Sequence, residues 1–278
     1  MKLRLVKPAQ GLVWVRQGLL LGKRQPLNFV GLLGLVASVA LLLMSLPVIG
    51  PLLLLAAMPM VWMGFMLASR HALASEKIPP SVLIEAVRTQ PEMRKAFARL
   101  GGAYVAATLV VMQLAHVFGP GADVLAEAFE TAQDAGEILA NPLVQQDLLW
   151  RMALTLPVSL LFWHTPALIL WARQPLAKAL FFSWIACWRN LGAFVVYGAA
   201  WAVLIVLVGL IDSVIAMVVP VPAVVNVLAV ATGLWVAAAF YASLYFTVVD
   251  CFDAPGTPPD GSLPGQDVSR DTPSSGQA

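Results

Sequence analysis

Charge is scarce in this chain. Asp, Glu, Lys and Arg make up 12% of its 278 residues, about half the share in a soluble domain. With 60% of residues hydrophobic, a water-soluble globule of this size would lack the polar surface to cover itself. Cysteine is rarer still. Cys187 and Cys251 lie too far apart for a CxxC or a zinc spacing and are too few for a disulfide scaffold. Both fall where thiols stay reduced, so they read as small buried side chains. No HExxH, GxSxG or GxGxxG occurs. The stretch Gly18-Leu-Leu-Leu-Gly22-Lys23-Arg24 is one residue short of a phosphate loop and lacks the Ser or Thr that would meet magnesium. No metal or cofactor is expected. The net charge of +2 gives no basic field suited to nucleic acid.

Long apolar runs are what the sequence does contain. Crossing the hydrocarbon core of a bilayer takes about 20 apolar residues at 1.5 Å each. Residues 27–47, 51–68, 98–118, 149–171, 193–218 and 223–249 meet that requirement. Proline cannot continue a helix, so Pro47–Pro51 should turn the first two spans into one hairpin. Val219-Pro220-Val221-Pro222 should do the same for the last two. The basic start with Lys2, Arg4 and Lys7 suggests a signal peptide. The first apolar run begins only near Phe29, however, and no small-residue cleavage site follows it, so it reads as a retained span.

Three amphipathic pieces, 9–24, 80–90 and 175–189, are too short or too charged to span. They fit helices in the headgroup plane, with Trp14, Trp184 and Trp188 at the interface. The layout is thus an interfacial helix followed by two spans, three times over. Arg24-Gln25-Pro26-Leu27-Asn28-Phe29-Val30 and Arg189-Asn190-Leu191-Gly192-Ala193-Phe194-Val195 share Arg, an amide residue and Phe-Val at one offset. The region Arg94–Phe97 matches poorly. Either three repeats underlie this layout, or basic and aromatic residues recur at each membrane entry for topological reasons.

Lys and Arg set the orientation. They gather before span one, between spans two and three, and between spans four and five. The connections on the other side contribute Arg151 alone. The positive-inside rule then puts both termini in the cytoplasm. The connection 119–148 carries Asp123, Glu127, Glu130, Asp134, Glu137 and Asp147 without a basic residue. It reads as a solvated acidic loop with a short amphipathic helix, and less readily as a docking surface. Residues 1–251 form the membrane domain. Residues 252–278, rich in Pro, Gly, Ser and Asp, read as a disordered cytoplasmic tail.

Ionisable groups at membrane depth are costly and mark candidate sites. His164 falls near the middle of span four, before Pro166, which removes a helical hydrogen bond. Asp212 lies in the outer part of span five, with Asn226 at similar depth across the hairpin. These three make a candidate intramembrane polar site for a proton or ligand. The alternatives are a hydrogen-bonded structural histidine and a carboxylate hydrated at the interface. Arg189 and Asp250 meet the cytoplasmic boundary and suggest a structural ion pair or hydrogen bond. His71 and His116 should reach the interface. Gly34/Ser38, Gly102/Ala106 and Gly198/Ala202, each four apart, suggest close helix packing.

The segments Met1–Gly18, Phe181–Phe194 and Phe240–Phe252 resemble a family of uncharacterised multi-pass inner-membrane proteins of proteobacteria. Cys187-Trp188-Arg189-Asn190 and Asp250-Cys251-Phe252 are the most specific parts, and the likeness covers most of residues 1–252. The layout is more distantly similar to the membrane domain that accompanies some glycerophosphodiester phosphodiesterases, a non-catalytic region. The resemblance implies a bacterial inner-membrane location and an all-helical domain; with the six apolar runs, the expected fold is an all-α polytopic bundle of six transmembrane helices with interfacial amphipathic helices. It brings no catalytic residue. The expected role is a non-enzymatic scaffold or accessory factor with membrane lipids, and a protein, as partners. The alternative is a small transporter using the polar residues of the bundle.

Overall fold

A computed structural model of the chain describes residues 2–131 and 135–252. The N-terminal segment is extended, and Leu3 pairs with Phe252 in an isolated antiparallel bridge. Helix α1 (Gln10–Arg24) follows and ends in the basic pair Lys23 and Arg24, favourable at a helix C-terminus. Gln25 leaves helical geometry, and Pro26 opens α2 (Pro26–Met44) at a position where its missing N–H is no loss. Val48 then takes a φ of 64°, in the left-handed region unusual for a β-branched residue. Gly50 makes this turn possible, because a Cβ there would overlap the Leu43 carbonyl. The chain returns in α3 (Ile49–Leu73).

A 3₁₀ turn, Pro80–Ile84, and the short α4 (Glu85–Arg88) lie against α3. Helix α5 (Met93–Phe118) crosses next. The acidic connection holds two short helices, α6 (Ala122–Thr131) and α7 (Ala135–Ala140). Asn141 caps α8 (Pro142–Phe162) by accepting from the Leu143 N–H at 2.9 Å. The chain breaks at Trp163 and His164 and resumes as α9 (Thr165–Ala172), with Pro166 in its first turn. Helix α10 (Leu176–Arg189), α11 (Leu191–Val218) and α12 (Pro222–Cys251) complete the fold. Among the described residues it is an all-α bundle with six helical segments long and apolar enough to span, α8 and α9 counting as one. Both proline turns fall where the sequence puts them. Phe252, assigned by sequence to the tail, is 4% exposed and belongs to the core. The rest of the proposed tail lies outside the described residues.

The buried core is concentrated at one end. It takes the last third of α12, the start of α11, the C-terminal part of α3, and α9, with one face each of α1 and α10. The opposite halves of α2, α5, α8, α11 and α12 present a belt of exposed apolar side chains, such as Leu41, Val117, Leu156, Met217 and Val227. Lipid accounts for that belt, since apolar side chains need no protein cover in hydrocarbon. At 30 residues, α12 is about 45 Å long, some 15 Å more than the hydrocarbon core.

One sequence expectation is overturned here. Helix α1 does not lie free in the headgroup plane. It runs antiparallel along α12, Gln10 beside Asp250 and Gly22 beside Ala239, and Trp14 is fully buried. Small residues make this possible. A Cβ on Gly18 would stand 2.5 Å from the Ser243 Cβ and 2.6 Å from the Ala239 carbonyl, and one on Gly11 would stand 2.3 Å from the Ala193 carbonyl. Gly34, Gly102 and Gly198, expected as seams, meet nothing within 4 Å. The seams are Gly11, Gly18 and Gly22 on α1, Gly64 under Leu83, and Gly101 against Ala56.

Candidate functional site

Three stretches distant in sequence meet at the packed end: the extended N-terminus, the end of α10 and the end of α12. Asn190 joins them. Its side-chain oxygen accepts from the Val6 N–H at 2.8 Å. Its amide nitrogen donates to the Arg4 and Ala186 carbonyls at 3.0 Å each and reaches Cys251 Sγ at 3.6 Å. The Arg4 N–H donates to the Cys251 carbonyl at 2.9 Å. A buried amide with both ends engaged fixes the register of all three segments. These are the stretches that carry the family resemblance.

One turn away, Asp250 Oδ2 accepts from Gln10 Nε2 and Trp14 Nε1, each at 2.7 Å. Such short bonds to a carboxylate are charge-assisted. The expected ion pair with Arg189 is not formed among the described residues. Arg189 is exposed, and the Asp250 oxygen is taken by α1 because α1 is buried here.

His164 is fully buried at the break between α8 and α9. Its Nδ1 lies 3.5 Å from Cys187 Sγ, and its ring meets Phe194 and Phe252 edge-on at 5.7 and 5.4 Å. Ser183 repairs the break by accepting from the His164 N–H at 3.0 Å and donating to the Leu160 carbonyl at 2.8 Å. Burial pushes the Cys187 thiol up from its ordinary range, further from the reactive thiolate.

Asp212 and Asn226 are elsewhere. Asp212 accepts from Thr232 Oγ1 at 3.0 Å on the lipid-exposed half of α11 and α12. Asn226 is exposed. Phe194, which touches His164, precedes Asp212 by more than four helical turns on α11. The structure therefore does not bring His164, Asp212 and Asn226 into one site. The sequence could not reveal this, because depth along a span says little about which end of a kinked helix packs where.

Sequence reasoning missed a cleft of about 300 Å³ between α3, α5, α8 and α12. Its walls include Trp62, Tyr104, Trp163 and Tyr241, with Thr155 and Ser159 one turn apart on α8. Among the described residues, no Asp, Glu, Lys, Arg or His lines it. A hint lay in the sequence: the spacing Thr155/Ser159 puts two hydroxyls on one face of an otherwise apolar helix. The ring contacts Trp62–Tyr104 at 5.2 Å and Tyr104–Phe162 at 5.1 Å hold the aromatic wall. Among the described residues no group of three His, Cys, Asp or Glu is arranged to hold a metal ion.

A probable inner membrane protein of Burkholderia thailandensis (strain E264) is 34% identical to this chain over 263 residues, covering 93% of this chain and 97% of the relative. No family model matches the chain, and no solved structure does. The chain belongs to the family of that Burkholderia protein. It is a multi-pass integral protein of the inner membrane.

Proposed function

We propose that this member of the inner-membrane family is a non-enzymatic scaffold or accessory factor, with both termini and the packed end of its bundle in the cytoplasm. The observation that carries the reading is the Asn190 clasp, which seats the N-terminal segment on the ends of α10 and α12. On the segments that meet at this end, Lys7, Arg16, Lys178 and Arg189 stand exposed. Polar groups at this end hold backbone and neighbouring helices in place, and the outward face is basic. Anionic lipid headgroups and an acidic protein surface are the partners such a face suits. On α10, Phe181 and Trp188 are exposed at 58% and 57%, and Trp188 stacks on Trp184 at 5.8 Å. That is the arrangement of a helix resting in the membrane interface.

The test is co-purification. The intact chain, extracted from its own membrane in a lipid nanoparticle, should retain an acidic protein or anionic lipid. Reversing charge at Arg16 and Arg189 should release it. Retention unchanged by charge reversal would contradict the scaffold reading.

A second reading, a small permease, is favoured by one observation: the cleft is flanked by a span that is broken at Trp163–His164. Uptake of a small neutral solute into vesicles holding the purified chain, abolished by filling the cleft, would decide for it.

A further inference from the structure

The cleft carries an inference that is independent of the basic face. Helix hydroxyls in this molecule normally return to their own backbone: Ser69 donates to Phe65, Thr165 to Leu161 and Ser213 to Gly209. Thr155 and Ser159 depart from that pattern, and their hydroxyls have no hydrogen-bond partner among the described residues. Both face the cleft. Tyr104 lies against Thr108, and Tyr241 against Trp62, on the walls opposite. Hydroxyls at membrane depth without a partner are unfavourable, and water is scarce there. A bound molecule with hydrogen-bond acceptors would satisfy them.

The mouth shows where such a molecule enters. Thr155 is exposed, and its neighbours on the same helix, Met152 and Leu156, are exposed at 55% and 60%. These side chains belong to the apolar belt, so the opening faces lipid rather than water. The lining then restricts the occupant. It has no charge, so a phosphate headgroup inside would go without a counter-ion. Its volume of about 300 Å³ is at the small end for ligand sites. That suits a head and the start of a tail. Flat aromatic faces and hydroxyl donors favour carbonyl oxygens on that head.

We propose that the cleft between α3, α5, α8 and α12 binds an uncharged lipid through the carbonyl oxygens of its head, with Thr155 and Ser159 as donors and the tail leaving into the bilayer past Leu156. Two sources share this chemistry, a glyceride ester and a quinone ring.

The test uses the full chain in detergent and three probes: dioctanoylglycerol, a short-tailed benzoquinone, and dioctanoyl phosphatidylglycerol. One neutral probe should raise the melting temperature by several degrees, and the one that does identifies the source. The combined Thr155→Val and Ser159→Ala variant should weaken that probe about tenfold, the loss of two modest hydrogen bonds. Should the double variant fold poorly, Ser159→Ala alone should still weaken it several-fold. Mass spectrometry of lipid retained from the native membrane gives a second reading, and a neutral carbonyl lipid should be enriched. The proposal is overturned if phosphatidylglycerol stabilises equally, if the variants bind as tightly as the wild type, or if no neutral probe acts and no neutral lipid is retained.

Discussion

Trp14 and Asp250 stand 236 positions apart in sequence, yet the indole Nε1 donates to the carboxylate Oδ2 at 2.7 Å. With Gln10 on the same oxygen, this contact ties the first helix to the last. Removing the carboxylate with Asp250→Ala leaves a buried indole N–H without an acceptor, a penalty of about 1–3 kcal/mol. The variant should melt several degrees below wild type in detergent, with Asp250→Asn between the two. Equal melting temperatures for all three would mean that the contact contributes nothing.

Small residues along α1 should be intolerant and those in the lipid belt tolerant. Gly18→Leu must push α1 away from Ala239 and Ser243, and overpacking of this kind costs about 1–3 kcal/mol or more. Gly34→Leu, where an added Cβ meets nothing within 4 Å, should fold normally. Size-exclusion profiles and melting curves of the two variants check the contrast. The reverse order of stability would refute the helix pairing.

Much of this was legible in the sequence, for definite reasons. Apolar runs of bilayer length can only be helices, and Pro47–Pro51 and Pro220–Pro222 can only interrupt them. The burial of α1 was not legible. Trp14 reads equally well as an interface anchor, and the stripe Gly11, Gly18, Gly22 gains meaning only once Ala239 and Ser243 are opposite it. Asn190 was visible as a resemblance, but its bonds to Arg4 and Val6 cross most of the chain. His164 drew attention as a lone intramembrane histidine. Its neighbour Cys187 arrives from α10, which no local pattern places there. The cleft escaped because its parts come from four helices, each unremarkable alone.

Cys187 should be chemically silent in the folded protein. Burial keeps its thiol protonated and out of reach. Maleimide at mildly alkaline pH should leave both native cysteines unmodified until denaturant is added. Rapid labelling of Cys187 in the native state would show that α10 does not pack on His164.

His164 and Asp212 should separate in their effects. His164→Ala empties a fully buried site between Phe194, Phe252 and Cys187, and should lower stability by about 2–4 kcal/mol. Asp212→Asn keeps an acceptor for Thr232 and should leave the melting temperature nearly unchanged. If both substitutions preserve fold and abolish one cellular phenotype, the two residues act together and the permease reading gains.

The most direct test of the account is sidedness. Single cysteines placed at Leu5 on the packed end and at Glu130 in the acidic connection would be probed in intact cells with a membrane-impermeant maleimide, once the outer membrane is made permeable. The account predicts labelling at position 130 at once and at position 5 only after the inner membrane is breached. Labelling of position 5 in sealed cells, with position 130 protected, would invert the bundle and remove the basic face from the cytoplasm.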